Sequence, residues 1–278
     1  MAENQFSRLF PNLGPAEFAS EHLIALGRLM SEINRGGESQ GIPSGYVYLG
    51  QFINHDMSRL ARGDELPGMH GLGLDELGQL RTAALDLDSL YGNGFDDPCC
   101  ATRADGQLVI GMTSKADGLN PTANDLPRQQ PSGRPIIPDD RNDENLLVAQ
   151  LHLLFMRLHN QIVAALPPQF SGAKERFEAA RAQVTETYQR IVLHDFLPTL
   201  LDPEIFAWLS ADDGANALAL YPSEQLAMPI EFAGAAFRFG HSMVQGLIEK
   251  FQVLGKEEKF FDHFLQQHNF FNDDEVTI

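Results

Sequence analysis

The sequence predicts a mainly α-helical protein with long irregular connections and little β structure. Apolar residues recur at helical spacing in several stretches, most clearly as Leu146, Leu147, Leu151, Leu154, Phe155, Leu158 and Ile162. Residues 113–140 carry five prolines and no helical period, which marks an irregular connector. β-Branched runs are scarce; the short stretch Leu108–Met112, bounded by glycine, reads as half of a hairpin.

The elements follow in order. Over 15–33, Pro15 stands at a first turn, and Phe18, Leu23, Ile24, Leu26, Leu29, Met30 and Ile33 fall mostly at helical spacing until Gly36 and Gly37 end the run. Phe52, Ile53, Met57 and Leu60 make the apolar stripe of a second helix over 47–60. Residues 61–75, rich in glycine and charge, read as a surface loop. Further helices are expected over 143–167, over 173–200 (polar at first, apolar after Val184), over 231–251 and over 256–271. Long connections inside a compact domain usually carry function.

A chain of 278 residues buries roughly 75% of its unfolded surface, enough for a sizeable core. A composition of 43% hydrophobic and 21% charged residues excludes disordered and collagen-like chains. Lys and Arg number 20 against 38 Asp and Glu, a formal net charge of −18. Such a chain offers no basic field to nucleic acid or to an anionic membrane surface. No apolar run reaches the length of about 18 residues that spans a bilayer, and the start Met-Ala-Glu-Asn-Gln lacks the pattern of a secretory signal. The only cysteines are the neighbours Cys99 and Cys100, which cannot staple distant segments. A cytoplasmic location and secretion without a cleavable signal both fit these features.

Five segments carry residues suited to chemistry. In Gly-Gln-Phe-Ile-Asn-His-Asp, Gln51 and His55 are four apart and share a helix face, while Asp56 points about 100° away. The segment reads either as an exposed polar face or as one helix serving two sites. Thr82, Asp86 and Asp88, with the carbonyls among them, offer hard oxygen ligands that suit calcium, or form a solvated acidic turn. In Asp-Asp-Arg-Asn-Asp-Glu the acids complement a helix start, whereas Arg141 runs against the macrodipole and invites a functional explanation. His152 and His159, seven apart with no completing carboxylate or cysteine, read as hydrogen-bonded packing histidines. His241 follows Gly240 within an apolar stretch, as a core histidine or as the ligand of a flat cofactor lying against the glycine.

In this order the segments resemble the animal-type haem peroxidases of the peroxidase–cyclooxygenase superfamily. Gln-Phe-Ile-Asn-His-Asp is similar to the family's distal motif. Asp-Asp-Arg-Asn-Asp-Glu with Leu-His-Leu-Leu-Phe-Met-Arg-Leu-His-Asn is similar to its distal arginine and the helix after it, and Ala-Phe-Arg-Phe-Gly-His-Ser to its proximal helix. The resemblance runs from about residue 8 to 250. It implies the helical haem-peroxidase fold as a single domain over 1–278, with haem b and calcium as cofactors. The implied reaction uses hydrogen peroxide to oxidise a small organic reductant or a halide through a ferryl intermediate.

Carried over by residue, the resemblance makes His55 the distal base, Arg141 the distal cation and Gln51 a lining residue where water or a halide sits. It makes His241 the iron ligand and Arg238 a partner of a haem propionate. Asp56, Thr82, the Ala84 carbonyl, Asp86 and Asp88 match the calcium site. Asn54 stands where some relatives carry an ester-forming Asp, whereas Glu144 matches the second ester position, so at most one ester link is implied. Asn145 excludes the sulfonium link of some relatives. Residues 242–278 alone follow His241, so the resemblance implies a domain without the usual C-terminal helices. The Phe-rich stretch 256–271 would then favour self-association. Two other readings belong to the same residues. A fatty-acid dioxygenase of the superfamily would need a radical-forming Tyr where Arg238 stands, and a non-catalytic haem- or calcium-binding scaffold would have no use for His55 and Arg141.

Overall fold

A computed structural model describes residues 4–14, 16–33, 41–61, 78–112, 124–220, 227–243, 251–253 and 256–258. The helices are α1 (Ser20–Ile33), α2 (Gly45–Met57), α3 (Asp88–Tyr91), α4 (Leu146–Ala165), α5 (Ala173–Ile191), α6 (Leu197–Leu200), α7 (Pro203–Ser210), α8 (Ala215–Leu220) and α9 (Ile230–Gly234). Among the described residues, three two-stranded antiparallel ribbons accompany them: β1 (Asn4–Gln5) with β2 (Gly78–Gln79), β3 (Gly111–Met112) with β4 (Asn124–Asp125), and β5 (Phe251–Val253) with β6 (Lys256–Glu258). The fold is mainly helical with little β structure, as expected. No helix among the described residues is long and apolar enough to cross a membrane.

The chain divides into two compact units, one of residues 51–56, 85–191 and 245–278, the other of 1–50, 57–84 and 192–244. The first is organised by α4 and α5. Val148, Ala149, His152, Phe155, Met156, His159 and Val163 are buried along α4, and Phe177, Ala180, Val184 and Tyr188 along α5. Both sets follow the three-to-four-residue period of one helix face. Phe52 stacks on Phe155 with centroids 5.3 Å apart and meets Tyr188 edge-on at 6.2 Å. Each such aromatic, fully covered, contributes roughly 1.5–3 kcal/mol. α4 begins at Leu146, where its apolar period begins and three residues later than the predicted start at 143. Asn145 takes an extended backbone there and caps the helix by accepting from the Val148 N–H at 3.0 Å.

In the second unit, Ser7 bridges to Pro229. Its N–H donates to the Met228 carbonyl at 2.9 Å, and its own carbonyl accepts from Ile230 at 2.9 Å. Tyr46 donates to Asp195 at 2.9 Å and stacks on Phe196. α1 carries its apolar stripe exposed: Leu23, Ile24, Leu26 and Leu29 are all more than half accessible.

Two predicted helices differ from the structure, and a third is widened locally. The one over 173–200 stays helical to Leu200 as expected, but after Ile191 it opens into a π turn over Val192–Phe196 before α6. Pro198 lies in the first turn of α6 and has no N–H to continue the preceding ladder, which favours the wider turn. The one over 231–251 ends at Gly234; Ala235 leaves the helical region (φ −134°, ψ −69°) and a 3₁₀ turn follows over Ala236–Met243. Gly234 is a poor helix former, and the Arg238 N–H closes a shorter bond to the Ala235 carbonyl at 3.0 Å. The one over 256–271 begins as β6, whose residues pair with β5; residues 259–271 lie outside the described residues, as do 62–75 of the predicted loop and Pro15. Leu108–Met112 does supply one strand of a ribbon, β3, together with a bridge from Leu108 to Thr102.

Candidate functional site

Within the first unit, α2 carries Gln51, His55 and Asp56 side by side, and the last two are buried. Asp56 is fully buried. Its carboxylate accepts from the Leu87 N–H at 3.2 Å and from the Ser89 N–H and hydroxyl at 3.4 and 3.3 Å. Leu87 holds a left-handed backbone (φ 57°), which turns its N–H and that of Ser89 onto the carboxylate. Asp86 and Asp88 flank it, and oxygens of the three acids lie within 4.8 Å of one another. Burial, then the charges of Asp88 and Asp86, push the Asp56 carboxyl up to about 7. Three hard oxygen donors held together against their own repulsion suit a divalent cation. Thr82 and Ala84, expected to complete the set, belong to the other unit. The Tyr188 hydroxyl is buried and makes no hydrogen bond among the described residues. Its pKa is raised by burial and then by the Asp56 charge.

His55 is 6% exposed. Its Nδ1 lies 2.9 Å from the side-chain oxygen of Asn142, and the side-chain nitrogen of Asn142 lies 3.0 Å from Nδ1 of His152. The other ring nitrogen, Nε2, is 3.8 Å from a Glu144 oxygen. Arg141 donates from Nη2 to the peptide carbonyl of His55 at 3.0 Å. The same guanidinium grips the buried Asp139 carboxylate through Nε at 2.9 Å and Nη2 at 2.8 Å. Arg141 sits in a 3₁₀ turn, Asp140–Asp143, that Asp139 caps, rather than in α4 itself. The unfavourable placement at a helix start is thus resolved by an ion pair.

Gln51 donates to Glu144 at 3.1 Å and accepts from Asn145 at 3.1 Å. Burial pushes the Glu144 carboxyl up, against the Arg141 charge, which draws it down. Gln51, Glu144 and Nε2 of His55 thus converge in one partly accessible place, a donor set suited to a small polar reactant.

His159 behaves as a packing histidine. It hydrogen-bonds the Gly106 carbonyl through Nε2 at 3.0 Å and the Tyr91 hydroxyl through Nδ1 at 3.2 Å. His152 does not fit that description alone, because it shares Asn142 with His55. Neither Asn142 nor Asp139 stands out in the sequence; the available signal is a histidine set inside the apolar run Leu146–Met156, which needs a polar partner once buried.

In the second unit, Arg238 and His241 occupy the 3₁₀ turn over Ala236–Met243, and Arg238 donates from Nε to the Ala233 carbonyl at 3.1 Å. Among the described residues, a Cβ placed on Gly240 meets no atom within 4 Å, so none of them accounts for the glycine by crowding.

The chain is similar to known proteins of one family. A chorion peroxidase of Aedes aegypti is 31% identical over 229 residues, which cover 79% of this chain and 28% of that protein. A lactoperoxidase of Mesocricetus auratus is 33% identical over 141 residues, covering 48% of this chain and 18% of that one. The chain therefore spans less than a third of either relative. A fatty acid alpha-dioxygenase of Arabidopsis thaliana superposes with a TM-score of 0.55 at 17% identity, over 77% of this chain and 40% of its own, a likeness of fold. The sequence model of the animal haem peroxidases matches residues 66–278, which include Arg141 and His241, while Gln51–Asp56 lie ahead of the matched span. Since that match takes in more than half of its residues, the chain belongs to the animal haem peroxidase family.

Proposed function

We propose that the chain is a haem-dependent peroxidase that uses hydrogen peroxide to oxidise small organic substrates or halides. The observation that carries this reading is the setting of His55: a buried imidazole whose Nδ1 is engaged by Asn142 and whose peptide carbonyl is held by Arg141. With Nδ1 engaged as a donor, Nε2 is the basic nitrogen. It accepts a proton from one oxygen of hydrogen peroxide and returns it to the other, which leaves as water. Arg141, neutralised in part by Asp139, contributes orientation of His55 as well as charge.

His241 and Arg238 would hold haem. Haem, when bound, supplies the two electrons that the cleavage of peroxide consumes. Asp56, Asp86 and Asp88 would hold calcium and steady the backbone next to His55. A dioxygenase reading is disfavoured by Arg238 at the position of the radical tyrosine.

The test is the optical spectrum of the haem-loaded full chain with and without peroxide, followed by oxidation of iodide and of a phenol. A haem band that shifts on adding peroxide and returns as the reductant is consumed is expected. A band indifferent to peroxide would overturn the reading.

A further inference from the structure

We propose that Asn142 is a positioning residue that fixes the tautomer of His55, acting as the centre of an imidazole–amide–imidazole relay whose far end is His152. The inference rests on the reading of His55 as the peroxide base, and its test separates the two.

All three side chains are buried: Asn142 is fully covered, His152 is 1% exposed and His55 6%. Each comes from a different element: His55 from α2, Asn142 from the turn before α4, His152 from the second turn of α4. The backbone of Asn142 is itself fixed, its N–H donating to the Asp139 carbonyl at 3.1 Å. A primary amide has one accepting edge and one donating edge. Placed between two Nδ1 atoms at 2.9 and 3.0 Å, it cannot serve both in the same way. One ring must donate and the other must accept.

With the amide oxygen on His55, the proton of that ring sits on Nδ1 and the lone pair on Nε2, the nitrogen that faces Glu144. With the amide reversed, the proton would sit on Nε2 and His55 could not accept another. His152 keeps the amide in the productive sense by presenting a bare Nδ1 to the amide N–H. Burial holds that ring neutral, its pKa lowered to about 3 despite the nearby Asp139 charge, so Nδ1 remains an acceptor. Two histidines 97 residues apart in sequence, His55 and His152, are thus coupled through one amide, and the choice made at His152 is read out at His55.

The experiment is nitrogen-detected NMR of the full chain labelled with ¹⁵N-histidine, without haem, beside stopped-flow mixing of the haem-loaded chain with hydrogen peroxide. In the wild type His55 should show a protonated Nδ1 and a bare Nε2, with His152 the reverse. Asn142→Leu should leave His55 a mixture of tautomers and slow the peroxide reaction about 10–100-fold, the usual consequence of losing a second group that orients a reacting imidazole. Asn142→Asp keeps an acceptor toward His55 and should restore both the Nδ1 proton and most of the rate. His152→Leu, which leaves Asn142 in place, should give a partial tautomer shift, and it serves if Asn142→Leu fails to fold.

A wild-type His55 protonated on Nε2, or a folded Asn142→Leu or His152→Leu chain with an unchanged tautomer, overturns the relay. If the tautomers behave as expected but His55→Ala reacts with peroxide at the wild-type rate, the relay stands and the assignment of His55 as the base falls.

Discussion

His55 and His241 are held by very different means. His55 lies on a thirteen-residue helix, is buried, and has its ring and its peptide carbonyl each engaged by a side chain from the Asp139–Asn142 turn. His241 lies in a 3₁₀ turn that follows a five-residue helix; its neighbour Arg238 bonds a backbone carbonyl, and Phe239 is half exposed. The first histidine is oriented before anything binds. The second belongs to a segment with few buried side chains among the described residues; as the proposed haem ligand it would take its order from what it holds. A general base needs a fixed direction for its lone pair, whereas a ligand is fixed by the bond it makes.

Exchanging the two histidines for alanine probes this contrast most strongly. His241→Ala should abolish the haem absorption band. His55→Ala should keep the band and slow the reaction with peroxide by about 10²–10⁴-fold, the range for loss of a general acid–base group. Titration with haem and stopped-flow mixing with peroxide measure the two, and equal behaviour of the variants would erase the distinction.

Stability should follow the same division. Phe52→Ala removes a fully buried ring packed on Phe155, His152 and Tyr188 and should cost about 3–5 kcal/mol. Phe239→Ala, at a 49% exposed site, should change stability by no more than about 0.5 kcal/mol. Urea unfolding of both variants gives the comparison.

Acid should act on the first unit through its buried histidines. Burial lowers His152 to about 3 and His159 to about 4, against an ordinary 6.5. Below pH 6.5 the unfolded chain takes up two protons that the folded chain refuses. Stability present above that pH is therefore lost as pH falls, by at most about 2.7 kcal/mol per unit from the pair. Urea midpoints between pH 6.5 and 4.5, with calcium saturating so that the acidic cluster stays charged, should fall steadily. Replacing His159 by Gln should flatten the slope by about half.

The smallest effect is expected from Tyr188→Phe. A buried hydroxyl that makes no hydrogen bond among the described residues contributes nothing to offset its desolvation, so the variant should be neutral or more stable by up to about 1 kcal/mol. A loss of 2 kcal/mol or more in thermal unfolding would show that the hydroxyl has a partner in solution.

Much of this was legible in the sequence, and the reason differs by residue. The apolar period of α4 is visible because a helix buried on one face repeats its side chains, and the spacing of Asp86 and Asp88 is visible because both acids come from one loop. The link from His55 to His152 is not, because it passes through Asn142, an ordinary polar residue whose meaning depends on two helices meeting around it. The broken helix after Ile230 was hidden for another reason. Its apolar residues keep a helical rhythm, while Gly234 and the Arg238 back-bond decide the backbone. Extended pairing at Lys256–Glu258 was hidden as well, since the Phe-rich pattern nearby carries a helical period.

Leu87 shows who maintains the acidic loop. Its left-handed backbone is a conformation that costs a non-glycine residue about 1–2 kcal/mol, yet its side chain is wholly buried. The oil-loving side chain acts as a peg that keeps the loop bent and the carboxylates converged, whether or not a cation is present. An ion arriving there would find the cage already folded and would spend little of its binding energy on shaping it. Any affinity of this loop for a cation should therefore be adjustable from the core, by trimming the peg, without altering any atom that would touch the ion.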